Sequence, residues 1–132
     1  MNLRHAAAVG LLSVALAGCS STPSGPYLCT DIYAYLTAIA VDTAGQPVSG
    51  LTIRDSVPRT GAAWDETQQP VLGAGSVVIF SDGDQQRVSR TRTEPVTVSG
   101  HGTAGSFSAS YVFDATGCHV EKVSGPDSVV VR

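Results

Sequence analysis

Lysine is nearly missing from this 132-residue chain: Lys122 stands alone beside seven arginines. Charged residues make up only 14%, and 8 basic side chains face 11 acidic ones, a formal net charge of −3. A chain with that balance offers no cationic surface to a phosphate backbone, so nucleic acid is excluded as an expected partner. The longest small and apolar run, Ala6 to Gly18, is 13 residues, short of the roughly 20 that cross a bilayer as a helix. No long amphipathic helical pattern and no internal repeat is present. Catalytic and ligand signatures are also missing. There is no Gly-x-Ser-x-Gly elbow, no Gly-Lys-Ser/Thr phosphate loop, no calcium loop with its closing Glu, and no cysteine spacing of a zinc site. No metal, no cofactor and no enzymatic activity are therefore expected.

What is present begins with the N-terminus. Arg4 and His5 precede the apolar run, the layout of a cleavable targeting segment. The run closes in Leu16-Ala17-Gly18-Cys19, which resembles the lipobox of bacterial lipoproteins. The resemblance implies removal of residues 1–18, lipidation of Cys19 and anchoring at the bacterial cell envelope. Ser20 rather than Asp after the cysteine resembles proteins sent to an outer membrane, at its periplasmic face or at the cell surface. An ordinary secretory peptide cut nearby would instead leave Cys19 as a thiol or a disulfide partner. Each buried methylene of an acyl chain contributes about 0.8 kcal/mol, so two or three chains on Cys19 would hold the protein firmly.

Removing 18 of 132 residues leaves 114, the size of one domain with a modest core. Seven basic and eleven acidic side chains remain, a formal −4. Residues 19–26 carry the lipid and the stretch Ser20 to Pro26, with two prolines and a glycine, and are expected to form a tether. Residues 27–132 are the expected folded domain, a monomer. With Cys19 lipidated, Cys29 and Cys118 form an even pair outside the reducing cytosol, so a disulfide is expected. Closing a loop of about 90 residues would stabilise the domain by about 4 to 5 kcal/mol.

Strand signals dominate that domain. Residues 32–41, IYAYLTAIAV, read as a strand buried on both faces, and Leu51 to Asp55 as its returning partner. A long irregular section runs from Ser56 to Gly75. It is longer than a compact domain usually leaves unstructured unless the loop is functional or holds short elements of its own. SVVIF (76–80) and QQRVSRTR (85–92) read as strands flanking a hairpin turn at Asp82-Gly83-Asp84, followed by PVTVS (95–99). The clearest alternation is Ser106 to Phe113, with Phe107, Ala109, Tyr111 and Phe113 on one face and serines on the other. CHVEKV (118–123) and SVVV (128–131) complete about seven or eight short strands, the pattern of an all-β, antiparallel sandwich.

Val41-Asp42, Gly45-Gln46-Pro47-Val48 and Gly50-Leu51-Thr52-Ile53 together resemble the opening of the carboxypeptidase regulatory-like domains, small transthyretin-like Greek-key sandwiches. Immunoglobulin-like bacterial surface domains share a similar opening. Domains of both kinds are generally non-catalytic, and the resemblance implies a binding or structural module.

Four candidate sites follow from residue chemistry. His101, in SGHGTAGS, reads as an exposed loop histidine; as a general base it would need a nucleophile and an orienting acid beside it. Asp82-Gly83-Asp84 reads as a turn rather than a calcium site. Arg87, Arg90 and Arg92 read as a solvated sheet face rather than an anion site. Trp64, Asp65 and Glu66 have two readings: Trp64 caps one end of the core, or an exposed aromatic flanked by carboxylates contacts a protein or glycan partner. The expected binding surface is the 56–75 loop with Trp64, Asp65 and Glu66, joined by His101 from the 100–105 turn. The expected function is a membrane-anchored, non-catalytic module; the rivals are an inhibitor of a periplasmic or host hydrolase and a cell-wall-acting enzyme using His101.

Overall fold

The computed structural model describes Cys29, residues 32–68 and residues 72–132. The targeting segment 1–18, the lipidation site Cys19 and the tether 19–26 lie outside the described residues. Among the described residues eight strands form: β1 (Tyr35–Val41), β2 (Thr52–Ser56), β3 (Ala63–Asp65), β4 (Ser76–Ser81), β5 (Glu94–Gly102), β6 (Gly105–Asp114), β7 (Glu121–Ser124) and β8 (Ser128–Val130). They build two sheets, ordered β4-β1-β8 and β3-β2-β5-β6-β7, in an all-β arrangement consistent with a sandwich. Side chains of both sheets meet in one apolar core, where Phe80 of β4 stacks on Phe113 of β6 with ring centroids 4.3 Å apart.

The strongest sequence signal gives the longest strand. Across β6, Phe107, Tyr111 and Phe113 are buried, Ala109 is half-buried, and Ser106, Ser108 and Ser110 are exposed. Its hairpin partner β5 holds Gly100 directly opposite Phe107. The Phe107 ring covers that glycine, and a Cβ there would overlap it.

Several expectations are corrected. β1 is buried on one face only: Ala38 and Ala40 point inward, whereas Tyr35 and Ile39 are 41% and 42% exposed. In the same sheet β4 is buried on both faces, with every residue from Val77 to Ser81 buried. β2 is not the partner of β1. Both edges of β1 are taken, by β4 antiparallel and by β8 parallel, so β2 crosses to the other sheet and pairs with β3 and β5. The β1–β8 pair also makes one sheet mixed rather than purely antiparallel. Those strands are joined by nearly the whole domain, and no hairpin dictates their relative direction. The Ser56 to Gly75 section contains the short strand β3, so it has an element of its own.

Asp82-Gly83-Asp84 is not a hairpin turn, and residues 85–92 are not a strand. A 3-10 helix occupies Asp82–Arg87. Asp84 Oδ2 accepts from the Ser81 amide (3.0 Å) and the Ser81 hydroxyl (2.5 Å), which turns the chain tightly where a two-residue hairpin would have left it extended. Arg87 leaves the expected sheet face and lies over the Trp64 ring, 5.3 Å from its centroid. Arg90 reaches the Gly117 carbonyl at 3.5 Å.

The turn after β1 follows its local chemistry. Asp42 Oδ1 accepts from the amides of Ala44 and Gln46, both at 2.8 Å, and Gly45 takes φ 78°, a region open to glycine at little cost. Cys29 and Cys118 are joined, with Cα atoms 5.2 Å apart.

Candidate functional site

Side chains along one face of β2 are Leu51, Ile53, Asp55 and Val57, all buried. The acid continues an apolar stripe because its strand register places it opposite Trp64 of β3 and Val98 of β5. Asp55 is 0% exposed. As a carboxylate, neither of its oxygens meets a donor. Burial first, then the neighbouring Glu66 and Asp84, push its pKa up to about 9, so near neutral pH it keeps its proton and donates to Glu66.

Glu66 directly follows β3 and is also buried. The indole N–H of Trp64 donates to Glu66 Oε1 at 2.6 Å. Burial first, then the neighbouring Asp84, raise Glu66 to about 7 against the opposing effect of that bond. The Tyr111 phenol, fully buried without a hydrogen-bond partner, is raised by burial to about 12. The interior behind Trp64 thus holds carboxyls that lose solvation faster than they gain partners.

Glu66 and Asp84 open onto a cleft of about 300 Å³ whose rim includes Tyr33, Tyr35, Ser81 and Arg87. Gly83 is what lets the rim close: a Cβ on it would overlap the Tyr33 hydroxyl, which donates to Ser81 Oγ at 3.3 Å. The two tyrosine rings stand 4.8 Å apart, tilted by 48°, and are about half-exposed. Arg87 Nε pairs with Asp84 at 3.2 Å and Arg54 with Asp65 at 2.9 Å. A larger groove of about 560 Å³ runs between β6 and β8, but serines and apolar residues line it with Arg132 as its one ionisable side chain. The chemistry lies in the smaller cleft.

No protein-family model, curated protein or solved structure matches this chain. The structure shows a small all-β, two-sheet domain, and the cleft has to be read from its own geometry.

Of the sequence candidates, Trp64 is 6% exposed and packs edge-on against Phe80, centroids 6.2 Å apart; this is the core-capping placement. Asp65 is exposed and Glu66 lines the cleft. His101 is exposed but pairs with Thr52 at the other end of β2, whereas Trp64 pairs with Asp55, so the structure does not bring His101 to the other three. Asp55 and Tyr33 were missed, and Asp84 and Arg87 read in the sequence as parts of a turn and of a solvated sheet face. Asp55 left a visible trace, an acid in phase with Leu51 and Ile53. The others depend on the 3-10 helix and on the packing of residues 32–34 against it, for which no local signal exists.

A second polar hub sits beside the disulfide. Asp82 accepts from the Ala34 amide (2.8 Å), His119 Nδ1 (2.7 Å) and the Val120 amide (2.9 Å). Burial alone would raise its pKa, but these bonds together hold it below the usual aspartate range. The hub is saturated and faces structural duty: it ties the start of the domain to the 3-10 helix and to the segment after Cys118. Among the described residues, no group of three His, Cys, Asp or Glu side chains could hold a metal ion, and no helix is long and apolar enough to cross a membrane.

Proposed function

We propose that this protein is a lipid-anchored module of the bacterial cell envelope that binds a partner, without catalysis, through the Tyr33–Glu66–Arg87 cleft. The observation that carries the reading is the cleft itself: aromatic rim, acidic floor and a volume at the lower end of ligand-binding sites. The export-like N-terminus and the Cys29–Cys118 bridge support maturation outside the cytosol. Lipid on Cys19 is the proposed anchor, and the outer membrane the proposed location. The Asp42 turn, with Gly45 at positive φ and Val48 buried, supports the likeness of residues 38–56 to carboxypeptidase regulatory-like domains as a finer description of the fold.

The non-catalytic reading rests on access. An acid–base pair must reach the reacting atoms together; of the carboxyls beside Glu66, Asp55 does not line the cleft and Asp84 is engaged by the Ser81 amide, the Ser81 hydroxyl and Arg87. His101, the other candidate base, is remote from Asp55 and Glu66.

Two measurements test the proposal. Metabolic labelling with a fatty-acid analogue should tag the wild type and miss Cys19→Ala; equal labelling would refute the anchor. Coprecipitation from detergent extracts should recover a partner with wild type and lose it with Tyr33→Ala/Tyr35→Ala. A partner set unchanged by that rim substitution would refute the cleft.

A further inference from the structure

Three carboxylates line the cleft, and their counter-ions are unevenly shared. Asp65 has Arg54 and Asp84 has Arg87. Glu66 has no cation among the described residues; its donors are the Trp64 indole and the Asp55 carboxyl. Behind it, Asp55 is fully buried, with no donor to either oxygen, and is turned toward Glu66 and Asp84. The site is therefore one positive charge short, at the carboxylate a ligand can reach. A metal ion does not fit, because no three side chains of the described residues are arranged to hold one.

We propose that the cleft binds an alkyl primary ammonium group, of the kind that ends a lysine side chain, with the nitrogen against the Glu66 carboxylate. The inference rests on the reading of this cleft as the binding site. An ammonium group has three donors and no acceptor, and the Ser81 hydroxyl and Asp84 carboxylate beside Glu66 supply the remaining oxygens. The tilted rings of Tyr33 and Tyr35 flank the entrance, where they can cover a methylene stem and attract the charge through their faces. A guanidinium group suits the floor less well, since Arg87 already occupies the position over Trp64 and beside Asp84.

The protein carries its own reporter, since Trp64 is its one tryptophan and its indole N–H is bonded to Glu66. Titration of the purified, disulfide-intact native protein with Nα-acetyl-lysine methylamide should give a saturable change in Trp64 emission with Kd in the millimolar range. The Nε-acetylated probe, of similar shape but neutral, should give none. Affinity should rise as pH increases through about 7, where Glu66 releases its proton while the amine, titrating at about 10.4, stays charged. Asp65, Asp84, Arg87, Tyr33 and Tyr35 are the other titratable groups lining the site, and Asp55 lies behind Glu66.

The near-isosteric Glu66→Gln should weaken binding at least about tenfold, equivalent to about 1.4 kcal/mol. Should that variant fail to fold, Tyr33→Ala, altered at a half-exposed rim position, should still weaken it severalfold. Absence of a saturable signal, equal binding of the acetylated probe, or undiminished binding by folded Glu66→Gln would each overturn the ammonium assignment. If the rim substitution abolishes partner capture while no ammonium probe binds, only this inference fails. If partner capture also survives the rim substitution, the cleft is not the binding site and both readings fall.

Discussion

Asp55 occupies a place that its neighbours in phase give to leucine, isoleucine and valine, and this makes it the residue with the largest consequence for pH behaviour. Unfolded, an aspartate titrates near 3.9; here the folded chain holds the proton to about 9. Between those values the unfolded state carries fewer protons, so stability falls as pH rises. Glu66 adds the same slope over a narrower window that ends at about 7. Asp82 and Glu94 act in the opposite sense. Glu94 is buried and held below its usual range chiefly by hydrogen bonds from Arg59, at 3.0 and 2.8 Å. Their contribution is present above the ordinary carboxylate range and is lost as pH falls through their lowered folded values. Asp55→Asn keeps the shape and removes the titration. It should exceed wild type in stability by several kcal/mol near pH 8, where the wild type must take up a proton to fold and Asn need not, and approach wild type near pH 4. Urea unfolding at both pH values checks this; an equal difference at the two would show that Asp55 is not the titrating group.

At the scale of elements, the exposed flank of β4 is closed by a side chain rather than by another strand. The Gln68 carboxamide accepts from the Val78 amide (2.9 Å) and donates to the Val78 carbonyl (3.1 Å), reproducing one rung of a β-ladder. Such edges recruit other chains when left open. Gln68→Ala removes two hydrogen bonds, each worth about 0.5 to 1.5 kcal/mol, so a loss of about 1 to 2 kcal/mol is expected together with concentration-dependent association. Thermal unfolding and light scattering measure the two effects, and a variant unchanged in both would show that the amide does not guard the edge. The 3-10 helix is the other element with functional weight. By replacing the expected hairpin it carries Asp84 and Arg87 to the cleft and Asp82 to the hub, so one short turn serves both the site and the closure of the domain.

At the scale of the molecule, the bridge between Cys29 and Cys118 spans 89 residues and encloses all but the last strands. Restricting an unfolded chain over that length is worth about 4 to 5 kcal/mol, a large share of a small domain's stability. Cys118→Ala should lose about that amount in denaturant titrations, and Cys29→Ala should match it, because each removes the same constraint; unequal losses would assign one cysteine a further role. The pairing followed from counting cysteines, and the all-β character from alternation, clearest along Phe107, Ala109, Tyr111 and Phe113. Both are local or compositional properties, and the physics of a strand repeats every two residues wherever the strand ends up. Partner choice has no such local record. That β1 lies between β4 and β8, that β2 joins the other sheet, and that Tyr33, Glu66, Asp84 and Arg87 converge on one cleft were decided by long-range packing, since burial of a shared apolar core selects among pairings whose local cost is nearly the same.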